Sequence, residues 1–87
     1  MKTYIRQTKG NGYILSVYRG ARLARRFSVM ESAKTSYQAA AQTMGLIADF
    51  VRGDDTVIVP DYITKQYGGD ALVKALDKRG VNYQIIK

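Results

Sequence analysis

Apolar and β-branched residues alternate with polar ones in three short stretches near the start of the chain. The stretches cover residues 3–8, 13–18 and 22–29, and each has the length and the two-residue period of a β-strand. Residues 9–12 and 19–21 separate them and contain glycine, which readily adopts the positive φ angles of tight turns. The pattern therefore predicts an antiparallel three-stranded meander.

A helical period follows the meander. Ser32 is a suitable N-cap, and the predicted helix runs to about Arg52, with Gly53 as its C-cap. We expect the C-terminal end of this helix to be deeply buried, because apolar positions are densest there. The apolar positions are Tyr37, Ala40, Ala41, Met44, Ala48 and Val51, with Leu46, Ile47 and Phe50 widening the apolar surface.

The rest of the chain predicts a strand, one or two helical turns, a helix and a final strand. Residues 56–59 have the apolar character of a central strand, and residues 61–67 form the helical turns. Asp70 caps the second helix, and residues 81–86 form the last strand. The predicted order is β-β-β-α-β-α-β in a single α+β domain of residues 1–87, with the meander packed on the long helix.

Strict alternation separates an apolar face of the meander from a polar one. Arg25 falls on the apolar side, which allows a bulge or register shift in the third strand. The apolar face, directed at the long helix, contains Ile5, Leu15, Val17, Leu23, Phe27 and Val29. The opposite face contains Tyr4, Arg6, Thr8, Ser16, Tyr18, Arg22, Ala24, Arg26 and Ser28.

The surplus positive charge is concentrated in the first third of the chain. Residues 1–30 contain seven basic residues and no Asp or Glu, whereas residues 31–87 contain seven of each sign, so this segment accounts for the formal charge of +7. Such asymmetry favours a polyanionic partner such as RNA, DNA or an anionic membrane surface. Arg fits phosphate, and Tyr rings or Arg planes stack on unpaired bases, so single-stranded or looped RNA is the preferred partner.

We therefore predict a nucleic-acid-binding surface on the N-terminal sheet, and a solvated polar face is the alternative explanation. The same face is also suited to self-association, because the predicted topology leaves it without a covering helix and directs Ile14, Ile58 and Ile86 outward. Binding and self-association are compatible in a homodimer. The predicted binding residues are Tyr4, Arg6, Lys9, Tyr18, Arg19, Arg22, Arg25 and Arg26.

Composition argues against most catalytic and cofactor chemistry. The chain has no Cys and no His, which excludes disulfides and the common zinc sites and removes the usual general base. Hairpin geometry explains the glycines at 10–12, and loop or cap roles explain Asp54, Asp55 and Asp61 better than a magnesium site does. No apolar run approaches a membrane span and no secretory signal is evident, so we expect a cytoplasmic protein that needs no cofactor.

The order of elements, with a long first helix and a final strand, resembles a trimmed ribonuclease H-like fold, which some ribosomal proteins also share. In catalytic members of that family, carboxylates in the first strand, on the first helix and at the end of the fourth strand bind two divalent metals. Here the first strand has no acid, Asp61 follows the fourth strand, Glu31 lies at the helix entrance and Asp49 near its far end. The resemblance therefore implies a catalytically degenerate member.

These features together favour a small, non-catalytic, basic nucleic-acid-binding protein that prefers RNA. By analogy of size and charge, its role is that of an accessory protein or a phage-type inhibitor of a host RNA-targeting defence or toxin system, in which bound RNA helps bridge the inhibitor to a nuclease. One alternative is a protein-interaction module that docks its basic face on an acidic protein. Another is a minimal metal-dependent nuclease.

Overall fold

The computed structural model describes residues 2–8, 14–28, 37–66 and 68–87, and these residues form five strands and three helices. Predictions about Lys9, the turn at 10–12, Tyr13, Val29, Glu31, Ser32 and Tyr67 lie outside the described residues. The elements are β1 (Lys2–Thr8), β2 (Ile14–Arg19), β3 (Arg22–Ser28), α1 (Tyr37–Phe50), β4 (Thr56–Pro60), α2 (Asp61–Thr64), α3 (Gly69–Lys78) and β5 (Tyr83–Ile86).

The five strands form one mixed sheet in the order β3-β2-β1-β4-β5. β1 pairs antiparallel with β2, and β2 pairs antiparallel with β3, as the predicted meander requires. β4 pairs parallel with β1 on one side and with β5 on the other. The molecule is thus a small α+β domain whose first strand lies in the middle of the sheet.

The hydrophobic core lies between one face of the sheet and the helices. Helix α1 contributes Ala40, Met44, Ile47 and Ala48, whose spacing places them on one side of the helix. Leu46 lies outside that stripe and is 55% exposed. The buried surface of α1 is therefore narrower than the sequence predicted. The same core contains, from the other elements, Ile5, Leu15, Val17, Phe27, Val51, Val57, Val59, Ile63, Ala71, Leu72, Leu76 and Val81.

The junction between α2 and α3 is packed too closely for a side chain. A Cβ atom on Gly69 would lie 1.9 Å from the carbonyl oxygen of Ile63, so the backbone would have to move. Gly68 has a φ of 81°, which favours glycine, and a Cβ there would lie 2.9 Å from the Cβ of Ala40. The two glycines therefore allow α3 to begin directly against α1 and α2.

The register between β2 and β3 shifts at one position. Val17 lies opposite Arg25 and Tyr18 lies opposite Leu23, so Ala24 is an extra residue on β3. The bulge that the sequence allowed is therefore present, and Arg25 lies on the helix side with Phe27, as strict alternation predicted. It also reverses two other assignments, because Leu23 shares the face of Tyr18, and Arg22 shares that of Arg19.

None of the described helices is long and apolar enough to span a membrane.

Candidate nucleic-acid interface

The sheet has one face directed away from the core, here called the open face. Strand side chains that lie opposite one another share a face, so the register identifies its members. The buried side chains of the three described helices all belong to the core on the other face. The part of the open face on β1, β2 and β3 contains Lys2, Tyr4, Arg6, Ile14, Ser16, Tyr18, Leu23, Arg26 and Ser28.

Arg6 lies across two tyrosine rings at the centre of the open face. Tyr4 and Tyr18 are cross-strand neighbours, and the Arg6 Cζ atom is 5.7 Å from the ring centroid of Tyr4 and 5.2 Å from that of Tyr18. Both separations are within the range of cation–π attraction, which at exposed sites contributes about 0.5–1 kcal/mol. The aromatic contacts therefore hold an exposed guanidinium in place without using it in an ion pair.

A second row of the open face carries two positive charges. Arg6 and Arg26 both lie opposite Ser16, one on each side of β2, and Ser16 is buried between them. Their Cα atoms are two strand spacings apart, about 10 Å. None of the five strands contains Asp or Glu, and within the described ranges neither arginine pairs with a carboxylate. The open face therefore presents positive charge beside two aromatic rings.

The other three arginines of the meander lie on the helix side of the β2–β3 hairpin. Arg25 lies opposite the core residue Val17, and the bulge brings Arg22, the cross-strand neighbour of Arg19, to the same side. The Cζ atoms of Arg19 and Arg25 lie 4.5 and 5.7 Å from the ring centroid of Phe50, and that of Arg25 lies 4.9 Å from Phe27. We call Arg19, Arg22, Arg25 and Phe50 the hairpin cluster.

Asp54 fixes one member of the hairpin cluster. Arg19 donates from Nε to the Asp54 carboxylate at 3.2 Å and from Nη2 to the carbonyl oxygen of Phe50 at 3.0 Å. The hydroxyl of Thr3 donates to the same carboxylate oxygen at 2.5 Å. Arg22 and Arg25 have no such partner among the described carboxylates. Arg19 is therefore a structural residue as well as a charged one.

A cleft of about 470 Å³ opens beside the hairpin cluster. Arg19, Arg22 and Phe50 line it together with Leu23 and Ala24, the two residues at the bulge. Leu23 is 37% exposed and also belongs to the open face, so the cleft and the open face meet at this residue. The cleft combines positive charge with apolar walls.

The structure divides the predicted binding surface into two parts. Tyr4, Arg6, Tyr18 and Arg26 lie together on the open face, as alternation predicted. The predicted placement of Arg22 on that face was wrong, because the bulge returns it to the side of Arg19 and Arg25. Phe50 and Asp54 were not predicted to join these arginines, since they lie more than 24 residues along the chain and the local pattern marks Phe50 only as a core residue.

The open face offers less apolar surface for self-association than its sequence suggested. The register places Ile14, Ile58 and Ile86 on this face, as predicted. Ile58 is only 5% exposed, however, because it lies on the interior strand β4, with Tyr4 and Gln84 as its cross-strand neighbours. Ile86, on the edge strand β5, is 40% exposed.

Two of the carboxylates that the sequence analysis considered as metal ligands, Asp49 and Asp61, have basic partners. Asp49 accepts a hydrogen bond from Arg79 Nε at 2.5 Å, and this bond lowers the pKa of the Asp49 carboxyl below its ordinary value. Asp61 pairs with Lys65 at 2.9 Å. Across the described ranges, no three carboxylates converge on a site that could hold a metal ion.

The chain matches no protein-family model, and no curated protein has significant sequence similarity to it. Its class is therefore defined by architecture, as a small α+β domain with a mixed five-stranded sheet.

Proposed function

We propose that this protein is a small, non-catalytic RNA-binding protein that binds unpaired RNA on the open face of its sheet. The observation that carries the proposal is the Tyr4–Arg6–Tyr18 group, in which two tyrosine rings of the open face hold one guanidinium on strands that contain no Asp or Glu. Stacking on aromatic rings together with a cationic surface is the usual means of binding single strands without strict sequence preference.

The open face offers separate groups for phosphates and bases. Arg6, Arg26 and Lys2 supply positive charge for the backbone, and guanidinium groups suit phosphate because they donate two parallel hydrogen bonds. Tyr4 and Tyr18 supply the platform for bases, either directly or through the plane of Arg6. A duplex keeps its bases stacked inside, so unpaired RNA gains more from this surface.

We further propose that the fold is a trimmed, ribonuclease H-like domain without catalytic function. Support comes from three strands followed by a long helix, a parallel strand and a final helix and strand. β1 contains no carboxylate where the catalytic members of that family have one. The pairing of Asp49 with Arg79 and of Asp61 with Lys65 is also more consistent with structural roles.

The direct test is RNA binding measured by fluorescence anisotropy, with a single strand and a duplex of the same sequence. We expect tighter binding of the single strand, and a loss on Arg26→Ala that is larger than the loss on Arg52→Ala. Arg52 is exposed and follows α1 outside the sheet, so its substitution removes the same charge elsewhere. Equal effects of the two substitutions would show that only overall charge matters, and absence of binding to either RNA would refute the proposal.

The biological role that we propose is that of an accessory protein or an inhibitor of an RNA-targeting defence or toxin system. Only size and charge support this part of the proposal. A pull-down from native cells, with and without ribonuclease treatment, tests it. Capture of a nuclease that depends on intact RNA is the expected result, and capture of an acidic protein that resists ribonuclease would favour a protein-interaction module.

A further inference from the structure

The hairpin cluster concentrates positive charge beyond what the fold requires. Arg19 and Arg22 lie directly opposite one another, and like charges in that arrangement destabilise a strand pair. Asp54 offsets the charge of Arg19. The described residues provide no carboxylate for Arg22 or Arg25, so an anion bound between them would relieve the repulsion.

The cleft at the cluster has the size and chemistry of a site for one nucleotide. Its volume of about 470 Å³ falls within the range of small-ligand sites. Arg22 supplies a guanidinium at the cleft for a phosphate, whereas Leu23, Ala24 and the Phe50 ring provide apolar surface suited to a base or sugar. Arg19 is already held by Asp54 and by the Phe50 carbonyl, so part of the site is ordered before any ligand binds.

The position of β3 connects this cleft with the open face. β3 is an edge strand, so no further strand of the sheet separates its two sides at this edge. Arg26 lies on the open face and its neighbour Arg25 on the helix side, while Leu23 belongs both to the open face and to the cleft wall. A chain of phosphates leaving the open face over β3 would therefore reach the hairpin cluster.

We propose that the hairpin cluster is a second nucleotide subsite, and that one RNA strand passes from the open face over the β3 edge into the cleft. This inference rests on the proposed function, because it assumes that RNA occupies the open face. It differs from that function in requiring a strand long enough to reach both sides of the sheet.

The test compares the variant Arg22→Gln/Arg25→Gln with wild type on two single-stranded RNAs of about four and about twelve nucleotides, which span the usual range of small binding sites. The short RNA reaches only one side of the sheet, so its affinity should change little. For the long RNA, loss of two phosphate contacts should reduce the slope of log K against log salt by about 1.4. Between about 50 and about 200 mM salt, that slope difference corresponds to about a sevenfold change in relative affinity.

The matched control is Arg52→Gln/Lys78→Gln, which removes the same charge from exposed positions outside both surfaces. It should leave the salt slope of the long RNA close to that of wild type. Circular dichroism shows whether each variant is folded, and the single variant Arg22→Gln, at an exposed position, provides a second measurement if the double variant is not.

Three results would overturn the inference, and each differs from failure of the proposed function. An unchanged salt slope for the long RNA would remove the cluster from the path of the strand. Equal losses for the short and the long RNA would mean that one compact site includes both groups. Cluster-dependent binding of polyglutamate with unchanged RNA binding would identify an acidic protein as the partner. If the proposed function is wrong, the wild-type protein itself will bind neither the short nor the long RNA.

Discussion

Tyr18→Leu tests how a base uses the Tyr4–Arg6–Tyr18 group. Stacking of one base on an aromatic side chain contributes about 1–3 kcal/mol. In the free protein, Arg6 already lies 5.2 Å from the Tyr18 ring centroid, a contact worth about 0.5–1 kcal/mol at an exposed site. If the base displaces Arg6, the net loss on substitution should be about 0.5–2 kcal/mol, or about two- to thirtyfold in Kd.

The background variant Arg6→Ala separates displacement from stacking on the guanidinium itself. If the base displaces Arg6, removing this side chain frees the ring, so Tyr18→Leu should cost more in the Arg6→Ala background than in wild type. If the base stacks on the guanidinium plane, removing Arg6 removes the platform, so Tyr18→Leu should cost less. Leucine retains an apolar side chain on β2, which limits the effect of the substitution on folding.

The assay is a double-mutant cycle by fluorescence anisotropy with a single-stranded RNA, and Tyr62→Leu is the control. Tyr62 is 51% exposed on α2, outside the five strands of the sheet, and should be neutral. A Tyr18→Leu protein that binds within twofold of wild type, and equally to duplex and single strand, would refute stacking and leave only electrostatic attraction.

Four further predictions concern stability, catalysis and assembly. Gly69→Ala should lower the free energy of unfolding by about 1–3 kcal/mol, because the added Cβ would collide with the backbone. Gly45→Ala should raise it by about 0.5–1 kcal/mol, because the nearest atom to the added Cβ is a side-chain nitrogen of Arg79 at 3.4 Å. Urea unfolding of both variants measures the contrast. The purified protein should not cleave RNA or DNA with magnesium or manganese, and cleavage that disappears on Asp61→Asn would restore the nuclease hypothesis. Folding lowers the pKa of the Asp49 carboxyl through its hydrogen bond from Arg79, so the stability that this pair contributes should be complete above the ordinary pKa of 3.8. This contribution should decline as the pH falls through the lower pKa of the folded state. Urea midpoints that decrease equally at low pH in wild type and in Asp49→Asn would contradict this prediction. We expect a homodimer at tens of micromolar, and sedimentation equilibrium in high salt after nuclease treatment that finds only the 9.7 kDa monomer would reject it.

Local periodicity was sufficient to predict the order of the elements and most of the inward-facing side chains. Ile5, Leu15 and Val17 alternate with polar residues in the sequence, and all three are fully buried. The second predicted helix is present as α3, but its predicted cap was wrong, because Gly68 is the N-cap and Asp70 lies within the first turn. These features depend on neighbours within a few residues, so the sequence contains the information needed to predict them.

The division of the candidate site into two surfaces could not be predicted with the same method. Alternation assumes that every residue of β3 has a partner, and one unpaired residue, Ala24, exchanges the faces of all residues before it. The position of Arg25 showed that a bulge was allowed but did not show where it lay. The contacts of Arg19 with Phe50 and Asp54 join residues more than thirty positions apart, and no local pattern reports such pairs.

The central position of β1 has a consequence for the order in which the protein folds. Thr8 pairs with Ile14 a few residues later, whereas Lys2 pairs with Thr56 more than fifty residues later. Closing the longer loop has the larger entropic cost and slows pairing, so the β1–β2 hairpin should form early and the parallel β1–β4 pair late. During synthesis, Tyr4, Arg6 and Tyr18 should therefore be assembled while the other edge of β1 is still unpaired. The proposed RNA surface therefore belongs to the half of the molecule that we expect to form first, before β4 and β5 complete the sheet.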